Sequence, residues 1–134
     1  MIVIDASTLT RFVLKEEGWR EVAEYLRAGT MSVDHIVKES VNAVWMRFRR
    51  GEMSLTEAKI TIEALKEILD KAVRVEGELA YLDEAVNISF SRGVTIYDSL
   101  YIAMAKKKGF KLMTVDEIQA NAATTENISV MLLK

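Results

Sequence analysis

Asp5, Glu39, Asp98 and Asp116 are the residues of this 134-residue chain whose type and placing could do chemistry. Each stands close to where an apolar strand ends or a helix begins. In an open parallel α/β sheet those points lie along one edge, where ligand sites form. Carboxylates that are far apart in sequence and meet at such an edge repel one another, and a divalent cation is the usual reason for assembling them. There is no cysteine, and the one histidine, His35, has no nucleophile evident beside it. A disulfide framework, a Zn-thiolate site and a Cys nucleophile are thereby excluded, and general acid–base catalysis by side chains is poorly supplied. An all-carboxylate set suits Mg²⁺ or Mn²⁺ rather than zinc.

Each acid also has an ordinary structural role open to it. Asp5 follows a buried-looking strand, where Asp commonly N-caps the next helix, and Ser7 and Thr8 add hydroxyls at the same turn. On a helical wheel Asp98 lines up with Tyr101, Ile102 and Ala105. That helix, YDSLYIAMA, is apolar nearly all round, so a carboxylate on its inner face needs a partner. Thr95 would supply one through the Thr-x-x-Asp spacing of a capping box. Asp116 follows the strand KLMTV and would N-cap the next helix with Gln119 completing a box, while Thr114 shares its strand face. Glu39 sits opposite the stripe Ile36, Val37, Val41, Val44 and Phe48, beside Asn42 and Met46, which reads as a solvated acid. Its place just after the second strand keeps it near the edge, where Asp34 and Glu117 also lie.

The elements that must position these residues follow from patterning. Ile2-Val3-Ile4 is a β-branched run suited to a buried strand. Helices are expected over Thr8–Leu14 and Trp19–Ala28, with Gly29 ending the second. Thr30–Val33 suits a second strand. Asp34 is expected to cap a helix reaching about Arg50, and Ser54, with Glu57 three residues on, opens another reaching about Asp70. Ala72–Val75 suits a third strand and Glu78–Ser91 a helix. Thr95 opens a helix stopped by Gly109. Lys111–Val115 is a fourth strand, a short helix follows from Asp116, and Ile128–Leu132 is a fifth strand. Alternation of this kind predicts α/β with a parallel sheet, leaving the strand order open.

Half the residues are hydrophobic and 28% are charged, a globular profile in a chain long enough for one sizeable core. No linker composition or repeat divides it, so residues 1–134 are expected to form a single domain. The opening MIVIDASTL has no basic n-region, and Asp5 interrupts its apolar run, so it reads as a strand rather than a signal peptide. No stretch approaches the ~20 apolar residues needed to span a bilayer. A cytoplasmic location without membrane attachment is expected. The net charge of −2 gives no general attraction for a polyanion, which would need local basic patches and metal.

Four segments together resemble the PIN-domain nucleases, and within them the VapC-type toxin ribonucleases of VapBC toxin–antitoxin systems. They are IVIDASTL, VKESVNAV, TIYDSLYIAMAKKKG and the TVD after the fourth strand, in the family's order and spacing. The third, a Tyr-Asp pair followed by Ser-Leu-Tyr-Ile-Ala and a basic helix end, is the most specific. The resemblance spans essentially the whole chain. It implies a three-layer α/β/α sandwich with a five-stranded parallel sheet in the order 3-2-1-4-5. It also implies a metal-dependent endoribonuclease with Asp5, Glu39, Asp98 and Asp116 on the conserved acidic positions, Ser7 and Thr114 on hydroxyl positions, and Asn42 on a polar one. Mg²⁺ or Mn²⁺ would then lower the pKa of a bound water, screen the phosphate and align the reacting groups. Asp5 and Asp98 are expected to be the core ligands.

RNA contacts are expected from Arg47, Arg49 and Arg50 at one helix end, with Arg11 and Arg92 as further candidates. Lys106-Lys107-Lys108 more simply complement a helix dipole. His35 is expected to be a helix residue rather than a ligand. Trp45, Met46 and Phe48 make the helix over 35–50 more apolar than one buried face requires; a homodimer or a small antitoxin partner would explain that, and so would a second packed layer. Two alternatives stand beside the nuclease: a non-catalytic PIN-like module that binds RNA or protein, and a Mg-dependent phospho-receiver. A receiver places its phosphoacceptor Asp after the third strand, where this chain has Glu76-Gly77.

Overall fold

Ile2, Val3 and Ile4 form β1 (Ile2–Ile4) at the centre of a five-stranded parallel sheet, and all three are buried. A strand covered by helices on both faces takes apolar side chains at every position, which is why this run does not alternate. The computed structural model describes residues 1–134. Its other strands are β2 (Thr30–Val33), β3 (Val73–Glu76), β4 (Lys111–Thr114) and β5 (Val130–Leu132), in the order β3-β2-β1-β4-β5. That is the order the family resemblance implies.

The helices are α1 (Ala6–Val13), α2 (Trp19–Ala28), α3 (His35–Arg49), α4 (Leu55–Lys71), α5 (Leu82–Arg92), α6 (Ile96–Lys108) and α7 (Glu117–Thr125). Contacts of α1 with α2, α3 and α4, and of α6 with α5 and α7, make the two helical layers of an α/β/α sandwich. Ser54 and Glu57 form the expected capping box at the start of α4. Gly109 stops α6 in the left-handed conformation (φ 71°), which costs glycine no side-chain clash. The helix expected from Glu78 begins instead as a 3₁₀ turn, Glu78–Tyr81, before α5.

Two local expectations fail for clear reasons. Asp34 does not cap α3: its own backbone is helical (φ −64°, ψ −15°), whereas a capping residue must be extended to reach back to the first-turn amides. Its carboxylate instead accepts the N–H of Glu78 at 3.1 Å, fastening the end of β2 to the 3₁₀ turn. The buried face of α3 is Ile36, Ser40 and Val44, with Val37 exposed, so the helix is rotated from the expected stripe. Ser40 is tolerated inside because its hydroxyl donates to the Ile36 carbonyl at 2.6 Å.

Register sets up the functional edge. Ile4 pairs with Met113, so the next residues, Asp5 and Thr114, emerge side by side at the C-terminal ends of β1 and β4. The helix that faces them, α6, is buried continuously from Ser99 to Ala105 and contacts β1, β2 and β4. A helix buried all round holds its first turn rigidly against the sheet. Ile102→Ala, at a fully buried position of α6, should lower the unfolding free energy by about 2–5 kcal/mol. Urea denaturation checks this, with the midpoint falling and the slope unchanged.

Candidate active site

Asp5 is both N-cap and buried acid. One carboxylate oxygen accepts the Thr8 N–H at 2.9 Å, the Ser7 hydroxyl lies within 2.8–2.9 Å of both oxygens, and the Thr114 hydroxyl lies 2.6 Å from the second. Burial is the largest influence and raises its pKa above the usual carboxylate range, against these hydrogen bonds, which lower it. Capping and a place at the edge therefore coexist in one residue.

Asp98 stands in the first turn of α6 and is half-buried. The Thr95 hydroxyl accepts its backbone N–H at 3.2 Å, but the reciprocal half of a capping box is not made as it is at Ser54. Its pKa is pushed up to about 6, first by burial, then by the negative charges of Asp116, Glu39 and Asp5 in that order. The charges of the other three acids thus act on Asp98 after burial does. No positive charge is among the influences on it.

Asp116 N-caps α7, accepting the N–H groups of Ile118 at 2.8 Å and Gln119 at 3.3 Å. Gln119 does not complete a box. Its side chain is fully buried, with Oε1 2.9 Å from the Thr114 hydroxyl and Nε2 donating to the Asp98 carbonyl at 3.1 Å. The Asp116 N–H donates to the Thr114 oxygen at 3.0 Å. Thr114 and Gln119 therefore tie Asp5, Asp98 and Asp116 together. Gln119 was readable only as a capping residue, because nothing local in the sequence marks it as buried.

Glu39 is not a solvated acid. It is half-buried and accepts the Tyr101 hydroxyl at 2.8 Å. The wheel misjudged it because its partner comes from α6, and because buried Ser40 counted as polar. Burial, then the Glu39 charge, pushes the Tyr101 hydroxyl far above the usual tyrosine range, so it stays a neutral donor. A buried tyrosine needs a partner for its hydroxyl, which is the signal that could have found this pair. Asn42 lies one turn on from Glu39 and is exposed. His35, the first residue of α3, stacks on Tyr97.

With side chains as they stand, no three Asp, Glu or His residues are close enough together to hold a metal ion. The expected four-carboxylate cage is therefore not assembled. Three of the acids are engaged elsewhere: Asp5 at its turn, Asp116 with α7 amides, and Glu39 with Tyr101. The donor set is nonetheless all oxygen, and Asp98 feels three negative charges with no cation against them, which is the chemistry a hard divalent cation fits.

The cations are placed away from the acids. Arg11 donates to the carbonyls of Glu17 at 2.7 Å and Lys134 at 2.9 Å, and Arg47 pairs with Glu16 at 2.7 Å. Arg49 lies 6.0 Å from the Trp45 ring centroid and Arg50 is 3.4 Å from Glu52. Arg47, Arg49 and Arg50 end α3, about 1.5 Å per residue further along the axis from Glu39. Arg92 and Lys106 both pair with Glu126, and Lys108 approaches Glu76 at 3.5 Å. At the basic end of α6, Lys106 and Lys108 are thus engaged in ion pairs, and Lys107 donates to the Ala80 carbonyl at 3.3 Å.

Known proteins bear on this arrangement. Residues 2–124 match the model of the PIN domain. A Pyrobaculum aerophilum protein named Ribonuclease VapC3 is 34% identical over 119 residues, covering 86% of this chain and 88% of that protein. Another from the same organism, Exonuclease VapC9, is 27% identical over 134 residues, 98% and 93% of the two chains. Among solved structures, PAE2754 of Pyrobaculum aerophilum superposes with a TM-score of 0.71 at 25% identity, covering 90% of this chain and 84% of that one. VapBC2 of Rickettsia felis, solved with a DNA fragment from its promoter, gives 0.64 at 14% identity with both chains fully covered. With its sheet order, its acidic edge and a family match over nearly its full length, this chain belongs to the PIN-domain family.

Proposed function

We propose that the chain is a metal-dependent ribonuclease that hydrolyses RNA phosphodiester bonds and forms the toxin half of a VapBC-type pair. The observation that carries this reading is Asp98, a half-buried carboxylate whose pKa is raised by burial and by the charges of Asp116, Glu39 and Asp5, in a chain that matches the PIN domain. Its likeness to a relative named a VapC ribonuclease supports RNA as substrate. The phospho-receiver alternative falls with the family assignment. Residues 1–134 act as one PIN domain in this reading, supported by a continuous apolar core that draws on every strand except β5, which packs against it.

In this proposal Asp5 and Asp98 hold Mg²⁺ or Mn²⁺, and Asp116 and Glu39 hold a second ion or its waters. When bound, such an ion neutralises phosphate charge and makes a water acidic enough to attack phosphorus. Ser7 and Thr114 fix the direction of the Asp5 carboxylate, Tyr101 fixes Glu39, and Asn42 stands beside Glu39 at the substrate side. Arg49 and Arg50, together with Arg47 and Arg11 if their present partners are displaced, guide the flanking RNA. The proposed place of action is the cytoplasm; no helix is long and apolar enough to cross a membrane. Val37, Trp45 and Met46 are exposed on α3, which supports cover by a second copy of the chain or by an antitoxin.

Asp5→Asn should leave the fold intact. Asn can keep the Thr8 N–H bond, and the Thr114 proton can turn to Gln119. Cleavage of mixed RNA should be Mg²⁺- or Mn²⁺-dependent, abolished by EDTA and lost in Asp5→Asn. Full metal-dependent cleavage by the pure variant would sink the mechanism, and RNA binding without cleavage by the wild type would favour the non-catalytic module. Because one relative is named an exonuclease, a circular RNA should serve as substrate. A circle left intact while linear RNA is degraded would replace the endonuclease reading.

Asp98 makes a prediction about pH. Its carboxyl loses its proton near pH 6 when folded and near the ordinary value of 3.8 when unfolded. Below about pH 3 both states are protonated and the site costs almost nothing. From there up to about pH 6 the unfolded state is favoured progressively, and above pH 6 nearly the full penalty is present. Asp98→Asn should therefore stabilise the metal-free protein at pH 8 by about 1–2 kcal/mol, allowing for solvent screening of a half-exposed group, and have almost no effect at about pH 3. Denaturation midpoints at the two pH values check it. Added Mg²⁺ should stabilise the wild type more than the variant.

A further inference from the structure

Beside the acids lies a cavity of about 650 Å³, of whose wall the proposed mechanism uses only Glu39 and Asn42. Glu39 forms part of its wall, so it opens directly off the carboxylate edge, between the first turns of α3 and α6 and the 3₁₀ turn. His35 and Tyr97 also line it, their rings stacked with centroids 4.9 Å apart and planes 10° apart. Tyr97 is 58% exposed although it immediately precedes Asp98 on the most buried helix of the fold. Two polar atoms of the wall residues, His35 Nε2 and Glu78 Oε2, are buried without a hydrogen-bond partner. Such atoms are a small minority in folded proteins. The approach of His35 Nε2 to Glu39, at 3.7 Å, is too long for a hydrogen bond.

Charge decides what this cavity takes. Glu39 and Glu78 contribute two carboxylates, while Lys38 lies 4.0 Å from Glu78 and is the one Lys or Arg of the wall. That balance repels a phosphate. It suits a flat, uncharged ring that lays a face on Tyr97 and turns hydrogen-bond donors toward Glu78. Ligand pockets commonly run from about 300 to 1,000 Å³, so one nucleotide is an appropriate size. We infer that the cavity is a nucleobase subsite for the nucleotide beside the scissile phosphate, selective for bases with an exocyclic amine over uracil. Uracil presents carbonyl oxygens where adenine, cytosine and guanine can present amines, and an oxygen against a carboxylate is repelled. The inference deepens the ribonuclease reading and rests on it.

The test is NMR titration of the metal-free protein with the uncharged nucleosides cytidine, adenosine and uridine, following the His35 and Tyr97 ring signals. Cytidine and adenosine should shift those signals and bind about tenfold more tightly than uridine, the discrimination of one hydrogen bond to a charged group. Tyr97→Leu should weaken all three about tenfold, as expected for loss of base stacking. Glu78→Gln should abolish the preference, because its amide can donate to a uracil carbonyl. The spectra of both variants report their folding. Equal affinity for cytidine and uridine, shifts clustered elsewhere, or no shift at millimolar nucleoside, which would leave the cavity to a protein segment, would overturn the subsite. Binding is read without metal or cleavage. Base discrimination with no RNA cleavage would defeat only the nuclease reading, and cleavage without discrimination only the subsite.

Discussion

A carboxylate buried at the end of the central strand is the constraint around which the rest of the edge is arranged. Asp5 is almost wholly inaccessible, and a buried charge without partners is strongly unfavourable. Its partners come from its own turn, through Ser7 and Thr8, and from β4, through Thr114. The last depends on the β1–β4 register, since a slip of one residue would turn the Thr114 side chain to the other sheet face. Thr114 has one hydroxyl proton and two acceptors in reach, Asp5 at 2.6 Å and Gln119 at 2.9 Å. It can serve one at a time. The state of Asp5 is thereby linked to Gln119, to the Asp98 carbonyl that Gln119 holds, and to Asp116, whose N–H the same hydroxyl accepts.

This arrangement separates two kinds of acid. Asp5, Asp116 and Glu39 each have close hydrogen-bond donors that fix their carboxylates. Asp98 receives little such compensation, and burial first, then the charges of the other three, hold its proton to a higher pH than that of an ordinary Asp. Placing like charges together lowers stability, and a binding site is where a fold commonly tolerates that cost. In the proposed function, the residue least satisfied by the protein is the one that a bound cation would satisfy.

Sequence reasoning reached Asp98 because α6 is apolar nearly all round, so its burial and that of its acid followed from composition alone. It reached the strands for the same reason, as β-branched runs bounded by capping and turn residues. The strand order was beyond it, because every parallel crossover has the same local signature; only the family resemblance supplied the order. Glu39 was misjudged because a wheel scores Ser40 as polar, whereas its hydroxyl returns to the Ile36 carbonyl and buries without penalty. Gln119 and the arginines failed for a related reason. Whether a polar side chain faces solvent, an ion pair or a buried hydroxyl depends on elements far away in sequence, as Arg11 shows by reaching Lys134.

The first turn of α6 shows how one rigid element serves both the acids and the cavity beside them. Thr95 caps it, Asp98 faces the acids, and Tyr97 and Tyr101, one turn apart, both approach His35, with centroids at 4.9 and 6.2 Å. Tyr101 is buried and holds Glu39, whereas Tyr97 is exposed. The two tyrosines share one helix face and differ in depth: Tyr101 lies within the stretch packed on the sheet, whereas Tyr97, in the first turn, reaches the cavity. Since the helix behind them is packed on the sheet from Ser99 to Ala105, neither tyrosine can shift far without moving Asp98. A base held against Tyr97 would then be registered to the acids by the helix itself, without a mobile loop between recognition and chemistry.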